Sequence, residues 1–140
     1  MYRLKCSAAF DSAHFLSGYN GKCANIHGHR WVIEAVFSSP VLQQEGMQRG
    51  MLIDFGDIKA SLRSLADSFD HALIYETGSL RSSTVAALND VSSNLIEVPF
   101  RPTAENFAEF FYGSLCGMGL PVSSVTVYET PDNCAVYEGD

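Results

Sequence analysis

Positive charge is scarce in this sequence, with nine Lys and Arg set against sixteen Asp and Glu for a formal net charge of −7. The nine are spread along the chain, so no basic stripe exists to follow a phosphate backbone or an anionic lipid surface. Nucleic acid and membranes are therefore not expected partners. No apolar run approaches the ~20 residues that cross a bilayer, and MYRLKCSAAF lacks the charged start and continuous apolar segment of a secretory leader. The expected location is the cytoplasm. Cysteine is also sparse: Cys6, Cys23, Cys116 and Cys134 form no CxxC pair, which excludes a four-thiolate zinc knuckle and a thioredoxin-type motif and implies free thiols. Repetitive and strongly polar tracts are missing too. With 46% hydrophobic residues in 140, residues 1–140 are expected to form one globular domain.

What is present is patterned. From Tyr2 the chain alternates, with Tyr2, Leu4, Cys6, Ala8 and Phe10 on one face, and Trp31, Ile33, Ala35 and Phe37 repeat the pattern after the loop SGYNGKCAN. These two runs read as a hairpin with an elaborated turn. MLIDF is a candidate short strand. Ile58, Leu62, Leu65, Ala66 and Phe69 then recur at helical spacing, with Asp70 and His71 closing that helix. A second helix opens at RPTAENFAEFFYGSL, where Thr103 suits an N-cap and Phe107, Phe110, Phe111 and Leu115 make the apolar stripe. Residues 76–99 are rich in Ser, Thr and Asn, with a candidate strand at LIEV. SVTVYET and CAVYEG close the chain as two further strands. The expected fold is α+β, ordered ββααββ, with a four-stranded antiparallel sheet, both helices on one face, and open edges that favour oligomerisation by sheet extension.

Three of the four histidines fall within AHFLSGYNGKCANIHGHRW. His27 and His29 are two apart at the start of a strand, so their side chains point the same way with Cα atoms roughly 6 to 7 Å apart. His14 ends the preceding strand and becomes a third ligand if the two strands pair. Three imidazoles with an open fourth position suit a catalytic zinc ion; an HxH pair and a lone histidine also suit hydrogen-bonded strand ends. Cys23, four residues before His27, can sit beside such a metal as base or nucleophile, or serve as an ordinary loop thiol. Asp70 with His71 suits a proton relay or simply a helix terminus. Glu129 suits either a solvated strand end or a partner for a ligand's amide and amino donors.

FDSAHFL, KCANIHGH, MLIDFGDIK, FDHAL, PTAENFAEFF and VYETPDNCAVYEG, in this order over nearly the whole chain, resemble the 6-pyruvoyl-tetrahydropterin synthase and 6-carboxy-tetrahydropterin synthase family. The resemblance implies the tunnelling fold (T-fold), whose subunit sheets join into a barrel as a trimer, two of which stack into a hexamer with active sites at subunit interfaces. It implies zinc held by His14, His27 and His29, Cys23 as the base, Asp70 and His71 as the relay, and Glu129 as the anchor for a pterin ring. Thr103 and Glu105 border the pterin in relatives. Lys22 and Arg30 flank the metal segment as candidate triphosphate contacts.

Three residues separate Cys23 from His27, which resembles the branch that makes the 6-carboxy product on the route to queuosine. That branch acts on 7,8-dihydroneopterin triphosphate and releases triphosphate and acetaldehyde. The alternatives are the 6-pyruvoyl reaction, or a pterin- or metal-binding module without catalysis.

Overall fold

The computed structural model describes residues 1–91 and 93–140. The elements are β1 (Tyr2–His14), a single 3-10 turn (Lys22–Ala24), β2 (His27–Ser39), α1 (Phe55–Asp67), β3 (Ala72–Glu76), α2 (Ser82–Asp90), β4 (Leu95–Val98), α3 (Ala104–Gly117), β5 (Val122–Thr130) and β6 (Asn133–Glu138). The expected α+β class and T-fold hold. The sheet, however, has six strands rather than four, in the order β4-β3-β1-β2-β5-β6. β3 and β4 are the additions, both parallel to their neighbours, and α2 is a third helix, with no buried residue. Among the described residues no helix is long and apolar enough to cross a membrane.

β1 and β2 pair antiparallel without interruption from Tyr2↔Ser39 to His14↔His27. Side chains alternate across a strand, so a slip of one residue would send every inward residue of one strand outward. The observed register puts Phe10, Trp31, Ile33, Ala35 and Phe37 inward, each no more than 1% exposed. α1 and α3 cover this face. α1 begins at Asp54, whose carboxylate accepts from the Gly56 amide at 2.6 Å, so the candidate strand at MLIDF is instead a lead-in to a capped helix. Thr103 caps α3 as expected, accepting from the Asn106 amide. Phe107, Ala108, Phe111 and Leu115 are its buried residues, while Phe110 lies at the rim against Phe69 and Phe100.

The core is aromatic where it meets the end of the hairpin. Phe10 stacks on Trp31 at 6.1 Å, Trp31 meets Phe107 edge-on at 5.1 Å, and Phe69 packs against Phe10, Phe107 and Phe111. Fully burying side chains of this size contributes about 2–3 kcal/mol each.

Asp70 and His71 do not close α1, which ends at Asp67. They form the turn into β3, and His71 is the one non-glycine residue at positive φ, 52°, among those described. Ser12 staples this turn to β1. Its buried hydroxyl donates to the Phe69 carbonyl and accepts from the Ala72 amide.

Candidate metal and ligand site

The inward stripe of the hairpin changes from apolar to imidazole at its last positions. His14 follows Phe10 and Ser12 on β1, and His29 and His27 precede Trp31 on β2, so the alternation that builds the core also gathers the three rings. One ligand atom from each lies within 4.8 Å of the others. Trp31 walls the group from below, its ring edge-on to His14 at 4.8 Å and to His29 at 5.3 Å.

Backbone carbonyls set the tautomers of two rings. His14 Nδ1 lies 2.7 Å from the Pro102 carbonyl and His27 Nδ1 lies 2.7 Å from the Asn25 carbonyl. A carbonyl only accepts, so each Nδ1 carries the proton and, in the neutral ring, each Nε2 offers a lone pair. Those two Nε2 atoms face each other at 3.1 Å. His29 Nε2 is buried without a hydrogen-bond partner, although Glu129 Oε1 stands 3.3 Å away. Burial holds the His14 pKa down at about 4, aided by the neighbouring imidazoles and opposed by the Pro102 bond. Burial likewise lowers His29, against the pull of Glu129. Converging ring nitrogens, one of them buried and unpartnered, fit a divalent cation of the imidazole-binding kind, and the carbonyls behind His14 and His27 fix the orientation of those two ligands.

Cys23 sits half-buried in the 3-10 turn, and its carbonyl accepts from the Leu16 amide at 2.9 Å, closing the loop over the end of the hairpin. Glu129 lies on the inward face of β5 after Val125 and Val127. The β5–β6 register shifts between Tyr128 and Thr130, and such a bulge re-aims the strand end. Cys23 and Glu129 line one cavity of about 500 Å³ together with His27, His29, Lys22 and Asn133. No described residue hydrogen-bonds the Glu129 carboxylate, so both of its oxygens can accept from a ligand.

The other expected residues lie apart. Asp70 and His71 form a tight pair, Oδ2 to Nδ1 2.8 Å. The Asp11 amide, and then His71, hold the Asp70 carboxyl below the usual range, and Asp70 raises His71. His71 lines a second cleft, of about 580 Å³, with Asp11, Arg30 and Asn94, and this cleft meets the first at His29. Thr103 is a helix cap one residue after the Pro102 carbonyl that orients His14, and Glu105 is exposed in the first turn of α3. The sequence reading gave no site role to Pro102, Asn25, Trp31 or Asn133. The first two act through backbone carbonyls, which carry no signal in the residue type.

A family profile described as "6-pyruvoyl tetrahydropterin synthase" matches residues 3–140. The chain is 36% identical over 141 residues to the 6-carboxy-5,6,7,8-tetrahydropterin synthase of Haemophilus influenzae, covering 99% of each chain. It superposes on a solved protein from Wolinella succinogenes with a TM-score of 0.77 at 20% identity, covering 99% of this chain and 98% of that one. It also superposes on the Caenorhabditis elegans 6-pyruvoyl tetrahydropterin synthase with a TM-score of 0.69 at 22% identity, covering 99% and 96%. A profile matched over almost the whole length, carried on a T-fold whose hairpin gathers three imidazoles, means that this chain belongs to the 6-pyruvoyl tetrahydropterin synthase family of lyase-type enzymes.

Proposed function

We propose that residues 1–140 form a single-domain, zinc-dependent 6-carboxy-5,6,7,8-tetrahydropterin synthase. It converts 7,8-dihydroneopterin triphosphate to the 6-carboxy product, with release of triphosphate and acetaldehyde, as a step toward queuosine. The observation that carries this reading is the convergence of His14, His27 and His29, the last two of which line the same cavity as Cys23 and Glu129. The three-residue spacing between Cys23 and His27 and the 36% identity to a relative named for this activity favour the 6-carboxy branch.

His14, His27 and His29 hold the ion through ring nitrogens, and zinc when bound supplies a Lewis acid for the hydroxyl oxygens of the substrate side chain. Glu129 offers two carboxylate oxygens to the 2-amino and N3–H donors of the pterin, a paired geometry that selects this ring. Cys23, on the same cavity wall, takes the proton from the side-chain carbon. His71 holds and returns a proton through its outer nitrogen while Asp70 keeps the inner one protonated. Because His71 does not line the cavity that Cys23 lines, although His29 borders both, the relay that serves Cys23 belongs to a neighbouring subunit, in a trimer or dimer of trimers. Thr103 and Glu105 border the pterin from α3. A triphosphate substrate and a working thiol both suit a reducing cytoplasm.

Mass spectrometry of the products tests the assignment. Zinc-loaded protein incubated with 7,8-dihydroneopterin triphosphate should yield 6-carboxytetrahydropterin and acetaldehyde. A 6-pyruvoyl product would move the chain to the other branch, and unchanged substrate from a metal-replete oligomer would make it a binding module.

A further inference from the structure

One residue of β1 holds both members of the Asp70–His71 turn. The Asp11 amide donates to Asp70 Oδ1 at 2.8 Å, and the His71 amide donates to the Asp11 carbonyl at 2.6 Å. This clamp keeps His71 at its positive φ, a conformation that costs a non-glycine residue energy and persists where surroundings enforce it. The Asp11 side chain leaves the strand into the same cleft as the imidazole. Its cross-strand neighbour Arg30 reaches both of its oxygens from Nη1, at 3.1 and 3.3 Å.

This ion pair is poorly placed to serve stability. The Asp11 and Arg30 side chains are 50% and 68% exposed, and pairs so solvated contribute little to folding. Its location is the informative feature. The charged or titratable groups that share the cleft with the ring are Asp70 from its own turn, Asp11 from β1, and Arg30 and His29 from β2, while residues 93 and 94 bring only the uncharged Ser93 and Asn94. Asp70 acts on the imidazole directly, and Asp11 acts across space with its carboxylate held by the guanidinium.

Resting on the reading of Asp70 and His71 as a proton relay, we propose that Asp11 and Arg30 are positioning residues for it. The Asp11 backbone fixes the turn, and the Asp11 carboxylate, partly balanced by Arg30, sets the charge environment in which His71 exchanges its proton.

The two side chains carry opposite charge, so their removal must act with opposite sign. We would follow the His71 ring by NMR through a pH titration of the zinc-loaded oligomer, and measure the pH profile of turnover on 7,8-dihydroneopterin triphosphate in parallel. Asp11→Asn should move the His71 midpoint down, Arg30→Gln should move it up, and Asp11→Glu should restore the parent value. kcat should change by roughly two- to fivefold, the range one solvated charge supplies, with the unfolding midpoint unaltered. Shifts of the same sign, or none, would overturn the inference. Opposite midpoint shifts with an unmoved pH profile of turnover would uphold the charge pair and refute the relay itself.

Discussion

Ser12→Ala is the most informative single change outside the ligand set. The side chain is 6% exposed and bonds on both sides of the Asp70–His71 turn, donating to the Phe69 carbonyl and accepting from the Ala72 amide at 3.2 Å. Removing one oxygen opens almost no cavity, so the cost lies in a buried carbonyl and a buried amide left without partners. At about 1–3 kcal/mol for each unsatisfied group, and with partial relaxation of the turn, the loss should be about 2–3 kcal/mol. Urea unfolding at fixed protein concentration would measure it as a lower midpoint with an unchanged m-value. Amide exchange at Ala72 should quicken in the same variant. A loss below about 0.5 kcal/mol would refute the reasoning, because it would mean that both groups find other partners when the hydroxyl is gone.

Cys23→Ala should retain the metal and bind pterin yet lose turnover by at least about 10²-fold, as expected for removal of a general base; near-normal rates in a steady-state assay would exclude that role. Glu129→Ala should weaken pterin affinity by about 10- to 100-fold, read by calorimetry, with a full equivalent of zinc retained. In metal-free protein, His14 should make stability fall with acid. Its folded pKa of about 4 lies below the ordinary 6.5, so the unfolded chain takes the proton first and the contribution, present above pH 6.5, is lost as pH falls toward 4. Urea midpoints of His14→Gln should follow pH less steeply across that window, and parallel curves would contradict this origin.

The long hairpin and both amphipathic helices were legible because period-2 and period-3.6 patterns run there over many residues. LIEV was legible as a candidate strand and is β4, but β3 and the parallel pairing of both were not. ALIYE is five residues long, parallel, and apolar without clean alternation, so nothing local separates it from a helix tail or a loop. α2 has no buried face, and without a stripe to bury it offers no helical period to read. MLIDF looked like a strand because its apolar content outweighed the capping signal of Asp54. Of the site, the donor set His14, His27 and His29 could be named in advance, since strand alternation aims residues two apart in one direction. The separation of Cys23 from His71 within one chain could not.

By itself the sequence determined which residues are candidates to carry chemistry, the alternation that turns the histidines inward, and the family, because periodicity and motif order are properties of the chain alone. Only the tertiary structure decided the register that brings His14 opposite His27, the carbonyls of Pro102 and Asn25 that set the ring tautomers, and the bulge beside Glu129. The same holds for the clamp of Asp11 on the Asp70–His71 turn. These depend on contacts between residues up to 88 positions apart and on backbone groups common to every amino acid, which no local pattern of side chains encodes.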